Sequence, residues 1–426
     1  MDTKKTLLGK CSCMAGLVNS HKTREIRRNC EKQEIKGSWT IREKYMTGKE
    51  KIRAAFTKEG ALEVPVVIPY EGILIRDHWE KLTNQPWYAM HLPDIMAQVQ
   101  WYTDVLTKIN QDWFVVYPFY SKKERESIRI ELFPEKICLI DTQTNKRKEY
   151  FKPRVAGWSI SGQIQSVKVN KLPETISELE VTLPEKPQKF DRQKFYAEGR
   201  HELAEILIKK FSDRMPICHV SSPLWKLYGV FGFEGMMTMI AENPDFVVYA
   251  CERFLEISID LSQQFIAAGA EVLWIEECLT DMISPSAFER FNVPFMKKLV
   301  SAIRECGGKS IYYYCGNPWD RINSILSVGT DAISFEEGKK GFEINIEDVV
   351  EAAKGRCVVF GNLDAINLLP YADRDTLKKE IKRQIQAGIK NKRRFIMSLG
   401  SPVTPGTSIE QVQNYCNISR ELGQSG

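Results

Sequence analysis

The sequence predicts an α/β fold class, a (β/α)₈ TIM barrel with a β-hairpin insertion after the second strand. Three observations predict it: short apolar runs recur along the chain, amphipathic stretches separate them, and the runs are continuously apolar rather than alternating. Continuous apolar runs are typical of parallel strands that are buried on both faces. The eight predicted strands cover residues 64–70, 112–118, 217–222, 271–277, 310–316, 332–337, 357–362 and 394–400.

The segments between the predicted strands have the periodicity of helices. Residues 243–269 and 374–389 are amphipathic at helical spacing, and each strand is followed by such a stretch or by an insertion. Residues 126–190 break this rhythm, because alternating apolar and polar residues there are punctuated by turn residues. We therefore expect a β-rich insertion at 126–190, on the barrel face where loops carry function.

The chain divides into a short basic segment and the predicted barrel. Residues 1–45 are rich in Lys and Arg and have little periodicity, so we expect a flexible basic N-terminal tail. The tail contains a Cys-Ser-Cys pair, but no second pair that would complete a metal site. The barrel is predicted to span residues 46–426.

The composition is that of an ordinary globular protein, with 43% hydrophobic and 27% charged residues and a net charge of +5. No basic stripe with interleaved aromatic residues is present, which argues against a nucleic-acid partner. No apolar run reaches the length of a membrane span, which argues against a membrane protein. The eleven scattered cysteines suit reduced thiols, so we expect a cytoplasmic protein that acts on a small-molecule substrate.

The candidate functional residues are those at the carboxyl ends of the predicted strands, where barrels of this kind carry their chemistry. These ends hold carboxylates, a thiol, amides and aromatic side chains. Such a mixture suits metal-assisted or acid–base chemistry on a sizeable organic ligand. The candidates are Tyr70, Tyr120, Trp225, Glu277, Cys315, Asn317, Asn362 and Asp364.

Several strand-end residues also have a purely structural interpretation. Glu276 and Glu277 could cap the next helix, and at most one of them faces the barrel interior, because neighbouring strand residues point opposite ways. A single cysteine on an apolar strand is more often a core residue than a ligand, but Gly316 opens the backbone directly after Cys315. His219 lies within the third predicted strand, where we expect a hydrogen-bonded core histidine.

Six stretches of the sequence resemble, in order, the motifs of one superfamily. YYYCGN at 312–317 resembles a His-x-Cys-Gly-Asn motif, and FGNLDAINLL at 360–369 resembles a Gly-Asn-Ile/Leu-Asp turn. The other stretches cover residues 46–56, 221–247, 269–300 and 398–412. The superfamily is that of uroporphyrinogen decarboxylase, which includes zinc-dependent methyltransferases that move methyl groups between a corrinoid protein and a thiol. The resemblance runs from about residue 46 to residue 422 and implies the same barrel.

The sequence departs from the decarboxylase branch at positions that bind its substrate. Phe119 stands where that branch has an aspartate after strand 2, and the branch's arginine-rich N-terminal motif is missing. A porphyrinogen with eight carboxylates requires cationic partners. The departures therefore favour a different substrate for this chain.

The sequence also departs from the methyltransferase branch, at its zinc ligands. At the positions of the family's His-x-Cys and distant Cys, this chain has Tyr313, Cys315 and Ser401. A catalytic zinc takes three protein ligands, so zinc here would need Cys315 together with Glu277 and a further carboxylate. The alternative is a metal-free site in which aromatic faces and hydrogen bonds hold the ligand.

The expected function is methyl transfer between a small methylated substrate and a corrinoid protein. In this interpretation Glu277, Cys315 and Asn317 are catalytic. The substrate-binding residues are Tyr70, Tyr120, Trp225, Tyr313, Asn362 and Asp364. Two alternatives remain open: a decarboxylase or other lyase acting on a carboxylated, tetrapyrrole-like substrate, and a non-catalytic accessory protein that binds a corrinoid or a tetrapyrrole.

Overall fold

The computed structural model describes residues 46–155, 171–338 and 341–424. The unit that begins at Thr47 has a mixed α/β fold built on a curled, mostly parallel sheet. The predicted N-terminal tail, residues 1–45, lies outside the described residues. No helix within the described ranges is both long and apolar enough to cross a membrane.

The described strands form one large sheet and one small sheet. The strands are β1 (Trp113–Val115), β2 (Ile128–Leu132), β3 (Lys136–Asp141), β4 (Arg147–Phe151), β5 (Met215–Ser221), β6 (Val272–Glu277), β7 (Lys309–Tyr314), β8 (Ala332–Phe335), β9 (Val358–Phe360) and β10 (Phe395–Ile396). The large sheet has the order β1–β5–β6–β7–β8–β9–β10, and all its neighbouring strands are parallel. These seven strands fall within or overlap seven of the eight predicted apolar runs.

The remaining predicted strand, residues 64–70, lies between the two edges of the large sheet. The Met397 amide donates to the Pro65 carbonyl at 2.9 Å, and the Asp112 amide donates to the Val66 carbonyl at 2.9 Å. Val66 also forms a parallel bridge with Met397. Pro65 and Pro69 have no N–H group, so this segment can make only a short ladder. It therefore joins the first and last strands without being a regular strand.

Side chains along each strand alternate between two layers of core. The inner layer takes side chains from all seven strands and from the segment around Val67, and its large residues are Trp113, Trp274, Tyr313 and Phe360. The outer layer is larger and includes the apolar faces of the surrounding helices. Tyr313 therefore points inward, whereas its neighbours Tyr312 and Tyr314 pack outward against the helices. This alternation decides which strand-end residues can reach a site inside the curl of the sheet.

The small sheet follows β1, in the region predicted to hold a β-hairpin. Strands β2, β3 and β4 pair antiparallel in that order, which makes three strands rather than two. Residues 156–170 of the predicted β-rich insertion lie outside the described residues. Residues 176–182 were predicted to be part of the β-rich region, but they form a helix because Thr175 caps it by accepting from the Glu178 amide.

The helices begin and end at local sequence signals. Ser222 and Ser284 each accept a hydrogen bond from an amide three residues on and are followed by proline, which is favourable at the first helical position. Gly269 ends the long helix before β6 with a φ of 110°. The helices are Gly48–Ala55, Glu71–Leu82, Ile95–Lys108, Lys122–Ser127, Ile176–Thr182, Arg192–Ala197, Glu202–Lys210, Pro223–Glu242, Pro244–Ala268, Pro285–Phe291, Val293–Glu305, Ile322–Ser327, Ile346–Ala353, Arg374–Lys390 and Ile409–Gly423, with 3₁₀ turns at Trp87–His91 and Thr280–Met282.

Candidate active site

A cavity of about 840 Å³ lies at the carboxyl ends of the parallel strands. Its volume is in the range of pockets that hold small organic ligands, roughly 300–1,000 Å³. Seven tyrosine and tryptophan residues line the wall together with aliphatic residues, three glutamates, three cysteines and one histidine. The aromatic and ionisable lining residues are Tyr70, Glu71, Trp101, Tyr102, Tyr117, Cys218, His219, Trp225, Tyr228, Glu276, Cys278, Tyr313, Cys315 and Glu336.

Four of the nine predicted catalytic and substrate-binding residues line this cavity: Tyr70, Trp225, Tyr313 and Cys315. Ser401, at the position of the family's distant zinc-binding cysteine, lines it as well. Tyr70 ends the first predicted strand with a φ of 55°, a left-handed conformation that costs a non-glycine residue about 1–2 kcal/mol. This turn directs its ring across the curl of the sheet, 5.4 Å from the Tyr313 ring. The Tyr313 hydroxyl donates to the Gly400 carbonyl at 3.1 Å, so the ring forms part of a fixed wall.

Cys315 lies directly after β7, at the tip of the strand. Its amide donates to the Glu277 carbonyl at 2.9 Å, and its thiol donates to Glu336 Oε2 at 3.2 Å. Gly316 follows with a φ of 122°, and a Cβ at that position would lie 2.3 Å from Cγ of Asp281. Only glycine allows this turn. The chain thus leaves the strand sharply while the thiol stays at the cavity wall.

A second cysteine lies beside Cys315. Strands β6 and β7 pair with Glu277 opposite Tyr314, which brings Cys278 next to Cys315 at the ends of the two strands. Both cysteines line the cavity. The pKa of the Cys278 thiol is raised well above its ordinary value, mainly by a hydrogen bond with Cys315 and secondly by burial. This thiol is therefore protonated at neutral pH.

The two glutamates at the end of β6 face opposite ways. Glu276 pairs with Tyr313 across the strands and lines the cavity, whereas Glu277 points to the outer layer and is fully buried there. Glu276 Oε1 lies 3.5 Å from Nδ1 of His219, which also lines the cavity. The predicted catalytic and metal-binding residue Glu277 is therefore not a cavity residue, because strand alternation turns it the other way.

Glu277 belongs instead to a buried polar network behind the strand. It accepts a hydrogen bond from the Asn292 amide group, and Tyr312 donates to Oδ1 of Asn292 at 2.9 Å. Burial raises the pKa of the Glu277 carboxyl to about 8, although hydrogen bonds from Ser222 and Asn292 oppose the rise. The carboxyl is therefore largely protonated at neutral pH and has a structural position.

The four other predicted residues lie outside the cavity lining. The Asn317 amide N–H donates to Asp281 at 3.3 Å, and its side-chain oxygen accepts from the Trp319 amide at 3.1 Å. Asn362 donates to the Ile344 carbonyl at 2.8 Å. Burial and a hydrogen bond with Tyr150 of the small sheet raise the pKa of the Tyr120 hydroxyl. The Asp364 carboxylate accepts hydrogen bonds from the amides of Ile366 and Asn367. The side chains of Asn317, Asn362 and Asp364 thus bond to backbone groups at the strand ends, whereas Tyr120 bonds to the small sheet.

The sequence interpretation missed His219 as a cavity residue. Its imidazole ring lies 5.7 Å from the Tyr70 ring and 5.9 Å from the Trp274 ring. His219 has the same strand parity as Ile217, which lies in the inner layer. Residues two positions apart on a strand point to the same face, so His219 faces inward like Ile217. The sequence does not show which face of β5 is the inner one, and this orientation therefore could not be predicted.

Glu71 forms a second acidic position in the wall. Tyr102 and the Gln111 side chain both donate to its carboxylate, and the Val115 amide donates to Oε1 at 3.1 Å. Burial raises the pKa of Glu71, while these hydrogen bonds lower it. The donors hold the carboxyl in place at the end of β1.

The described residues do not fit the zinc site of the methyltransferases. The Tyr313 hydroxyl is engaged with a backbone carbonyl, and Glu277 faces away from Cys315. Within residues 46–155, 171–338 and 341–424, no three His, Cys, Asp or Glu side chains group together as a ligand set. A catalytic zinc takes three such ligands. We therefore derive no chemical step that uses zinc.

Structural comparison supports the fold. The chain is similar to a solved methyltransferase from Methanosarcina mazei, with a TM-score of 0.57 and 17% identity, over 88% of this chain and 99% of that one. At this level of identity the similarity concerns the fold. It agrees with a curled parallel sheet of TIM-barrel type.

Sequence comparison points to one family. Uroporphyrinogen decarboxylase from Pseudomonas putida KT2440 is 25% identical over 226 residues, which are 50% of this chain and 61% of the relative. Uroporphyrinogen decarboxylase from Prochlorococcus marinus MIT 9515 is 23% identical over 43% of this chain and 51% of the relative. The chain thus spans about three fifths of the length of the first of these relatives and about half of the length of the second. The uroporphyrinogen decarboxylase (URO-D) family matches residues 166–422, which is more than half of the chain. The chain belongs to the URO-D family.

Proposed function

We propose that this chain is a methyltransferase that moves a methyl group between a small methylated substrate and a corrinoid-carrying partner protein. The observation that carries the proposal is the composition of the cavity wall. Aromatic residues share the wall with Cys315, Glu336 and the His219–Glu276 pair, and the described lining residues include no lysine or arginine. Membership of the URO-D family and the methyltransferase fold neighbour both support an enzyme.

The same wall is unsuited to the substrate of the family's decarboxylases. A porphyrinogen with several carboxylates needs guanidinium or ammonium groups to pair with them. Glu71, Glu276 and Glu336 line the cavity instead, and they would repel such a substrate. This acidic lining favours methyl transfer over decarboxylation of a polycarboxylate.

The proposal takes the fold to be a closed (β/α)₈ barrel with a β-rich insertion after β1. Two hydrogen bonds support closure. The segment around Val66 accepts one from the amide of Met397, directly after β10, and one from the amide of Asp112, directly before β1. A closed barrel gathers all strand ends around one mouth. The methylated substrate would bind in that mouth, and the corrinoid partner would dock over it.

In this account each wall residue has a separate role. Tyr70, Tyr313 and Trp225 hold the substrate through their aromatic faces. The His219–Glu276 pair exchanges a proton with the leaving group when the substrate needs one. Cys315, oriented by Glu336, contacts the substrate beside this pair. A reduced corrinoid on the partner would supply a strong nucleophile for the methyl group.

The experiment mixes the purified full chain with free cob(I)alamin and a panel of methylated compounds, among them 2-methoxyphenol and choline. We expect enzyme-dependent loss of cob(I)alamin absorbance together with the demethylated product, detected by mass spectrometry. A parallel assay measures CO₂ released from uroporphyrinogen. Release of CO₂ without methyl transfer would instead support the decarboxylase alternative and overturn the proposal.

A further inference from the structure

We infer that the cavity binds a methylated onium cation, a quaternary ammonium or a sulfonium group, as the methyl donor. This inference rests on the proposed function, because it names the substrate class of the same site. It follows from two properties of the wall that are independent of each other. One is the sign of its ionisable groups, and the other is the arrangement of its aromatic rings.

The ionisable groups of the wall favour a positive ligand. The described lining includes the carboxyl groups of Glu71, Glu276 and Glu336 and no lysine or arginine. Its one basic group is His219, whose Nδ1 lies 3.5 Å from Glu276. Glu71 and Glu276 put acidic groups on the wall, and a bound cation would interact favourably with a carboxylate there.

Lys226 is the cationic side chain that acts on Glu276 from outside the lining. It belongs to a neighbouring smaller cavity, which shares Trp225 and Tyr228 with the large one. Burial lowers the pKa of Lys226, whereas Glu276 raises it. Lys226 lines the smaller cavity and not the large one, whose described lining keeps its carboxyl groups without an ammonium group among them.

The aromatic rings of the wall can contact methyl groups on a cation. Trp225 and Tyr228 stack with their ring centres 4.7 Å apart and their planes 7° from parallel, which fixes the two rings as one aromatic stack in the wall. Across the cavity wall, Tyr70 meets Tyr313 edge to face at 5.4 Å. A methylated onium ion has no N–H or S–H group to donate, so its recognition relies on aromatic faces and nearby negative charge.

The chemistry of an onium donor also matches the groups available. During transfer the bond between the methyl carbon and nitrogen or sulfur breaks, and the heteroatom keeps the electron pair. The donor leaves as a neutral amine or sulfide, and the corrinoid nucleophile of the partner supplies the electron pair of the new bond to the methyl carbon. No proton has to be delivered to the leaving group. Burial raises the pKa values of the Tyr70 and Tyr313 hydroxyls, so both rings remain neutral in the wall.

The test measures binding of small probes to the full-length protein by isothermal titration calorimetry. Choline is compared with 3,3-dimethylbutan-1-ol, its neutral isostere in which carbon replaces nitrogen, and trimethylsulfonium distinguishes a sulfonium from an ammonium preference. We expect an onium ion to bind at least about tenfold more tightly than the neutral isostere. Trp225→Ala should weaken onium binding about threefold to thirtyfold, and Glu276→Gln should weaken it without affecting the isostere.

Tyr371→Ala serves as the matched aromatic control, because Tyr371 is 82% exposed and does not line the cavity. Equal affinities for choline, trimethylsulfonium and the isostere, or no binding of either onium ion, would overturn the cation inference. Methyl transfer from 2-methoxyphenol would then still stand as a separate result. Conversely, onium binding without any methyl transfer to cob(I)alamin would support the cation site and contradict the proposed function.

Discussion

The buried Glu277 carboxyl makes the stability of the protein depend on pH in a direction that can be measured. Its ordinary pKa is 4.5, and burial raises the pKa in the folded protein to about 8. Between these values the unfolded chain loses the proton and the folded chain keeps it, so stability is fully present below pH 4.5 and falls as the pH rises towards 8. The slope is about 1.4 kcal/mol per pH unit.

Glu277→Gln removes this dependence, because glutamine has nearly the same shape and does not ionise. From about pH 5.5 to about pH 7.5 the wild type should lose about 3 kcal/mol of unfolding free energy relative to the variant. At about pH 5.5 the unfolding free energies of the two proteins should differ by only about 1 kcal/mol, because the glutamine side-chain oxygen can still accept the hydrogen bond from Asn292. Urea unfolding followed by tryptophan fluorescence measures the difference at each pH.

Glu421→Gln is the control for this experiment. A hydrogen bond from Lys378 lowers the pKa of the surface carboxyl of Glu421, so it is ionised in both states throughout the same pH range. The control should keep the wild-type pH dependence. If Glu277→Gln and wild type lose stability in parallel between the two pH values, the buried, protonated state of Glu277 is refuted.

Two further predictions concern the strand end that carries the thiol. Gly316→Ala should destabilise the protein by about 1–3 kcal/mol, because φ is 122° and the new Cβ would meet Asp281. Thermal unfolding measures the loss. The control is Gly307→Ala, because Gly307 also has a positive φ but has no atom within 4 Å of an added Cβ. Zinc analysis of protein purified without chelator should give the same zinc content for wild type and Cys315→Ala, since the described residues group no three ligands around Cys315.

Contrary results for these two predictions are easy to recognise. If Gly316→Ala costs no more than Gly307→Ala, the turn after Cys315 does not need the space that Asp281 occupies. Stoichiometric zinc that disappears in Cys315→Ala would contradict the metal-free interpretation. It would restore the zinc site expected from the family resemblance.

The sequence alone was sufficient for the order of the strands but not for their orientation. Continuous apolar runs located the strands, since a strand buried on both faces is apolar at every position. The same continuity hid the alternation in β6, because valine, leucine, tryptophan and isoleucine before Glu276 fill both layers of core. Nothing in that run distinguishes the inner from the outer face, so the sequence alone does not show which of Glu276 and Glu277 lines the cavity or that His219 faces it.

Residues beyond the strand ends were harder to predict for a different reason. Asn317, Asn362 and Asp364 follow strands in the sequence, but their side chains bond to nearby backbone groups. Polar residues at such turns compete for local amides and carbonyls before they can reach a ligand. Cys315 differed because Gly316 turns the backbone away from it, and that signal was visible in the sequence.

The central claim is that this acidic, aromatic cavity transfers a methyl group to a corrinoid. The most direct measurement follows a ¹³C-labelled methyl group by NMR, from choline or 2-methoxyphenol to added cob(I)alamin, in the presence of the purified full chain. We predict that the label moves to the corrinoid at a rate proportional to protein concentration, and that Cys315→Ala slows this movement at least about tenfold. Label that stays in both donors, or that moves equally fast without the protein, would contradict the account.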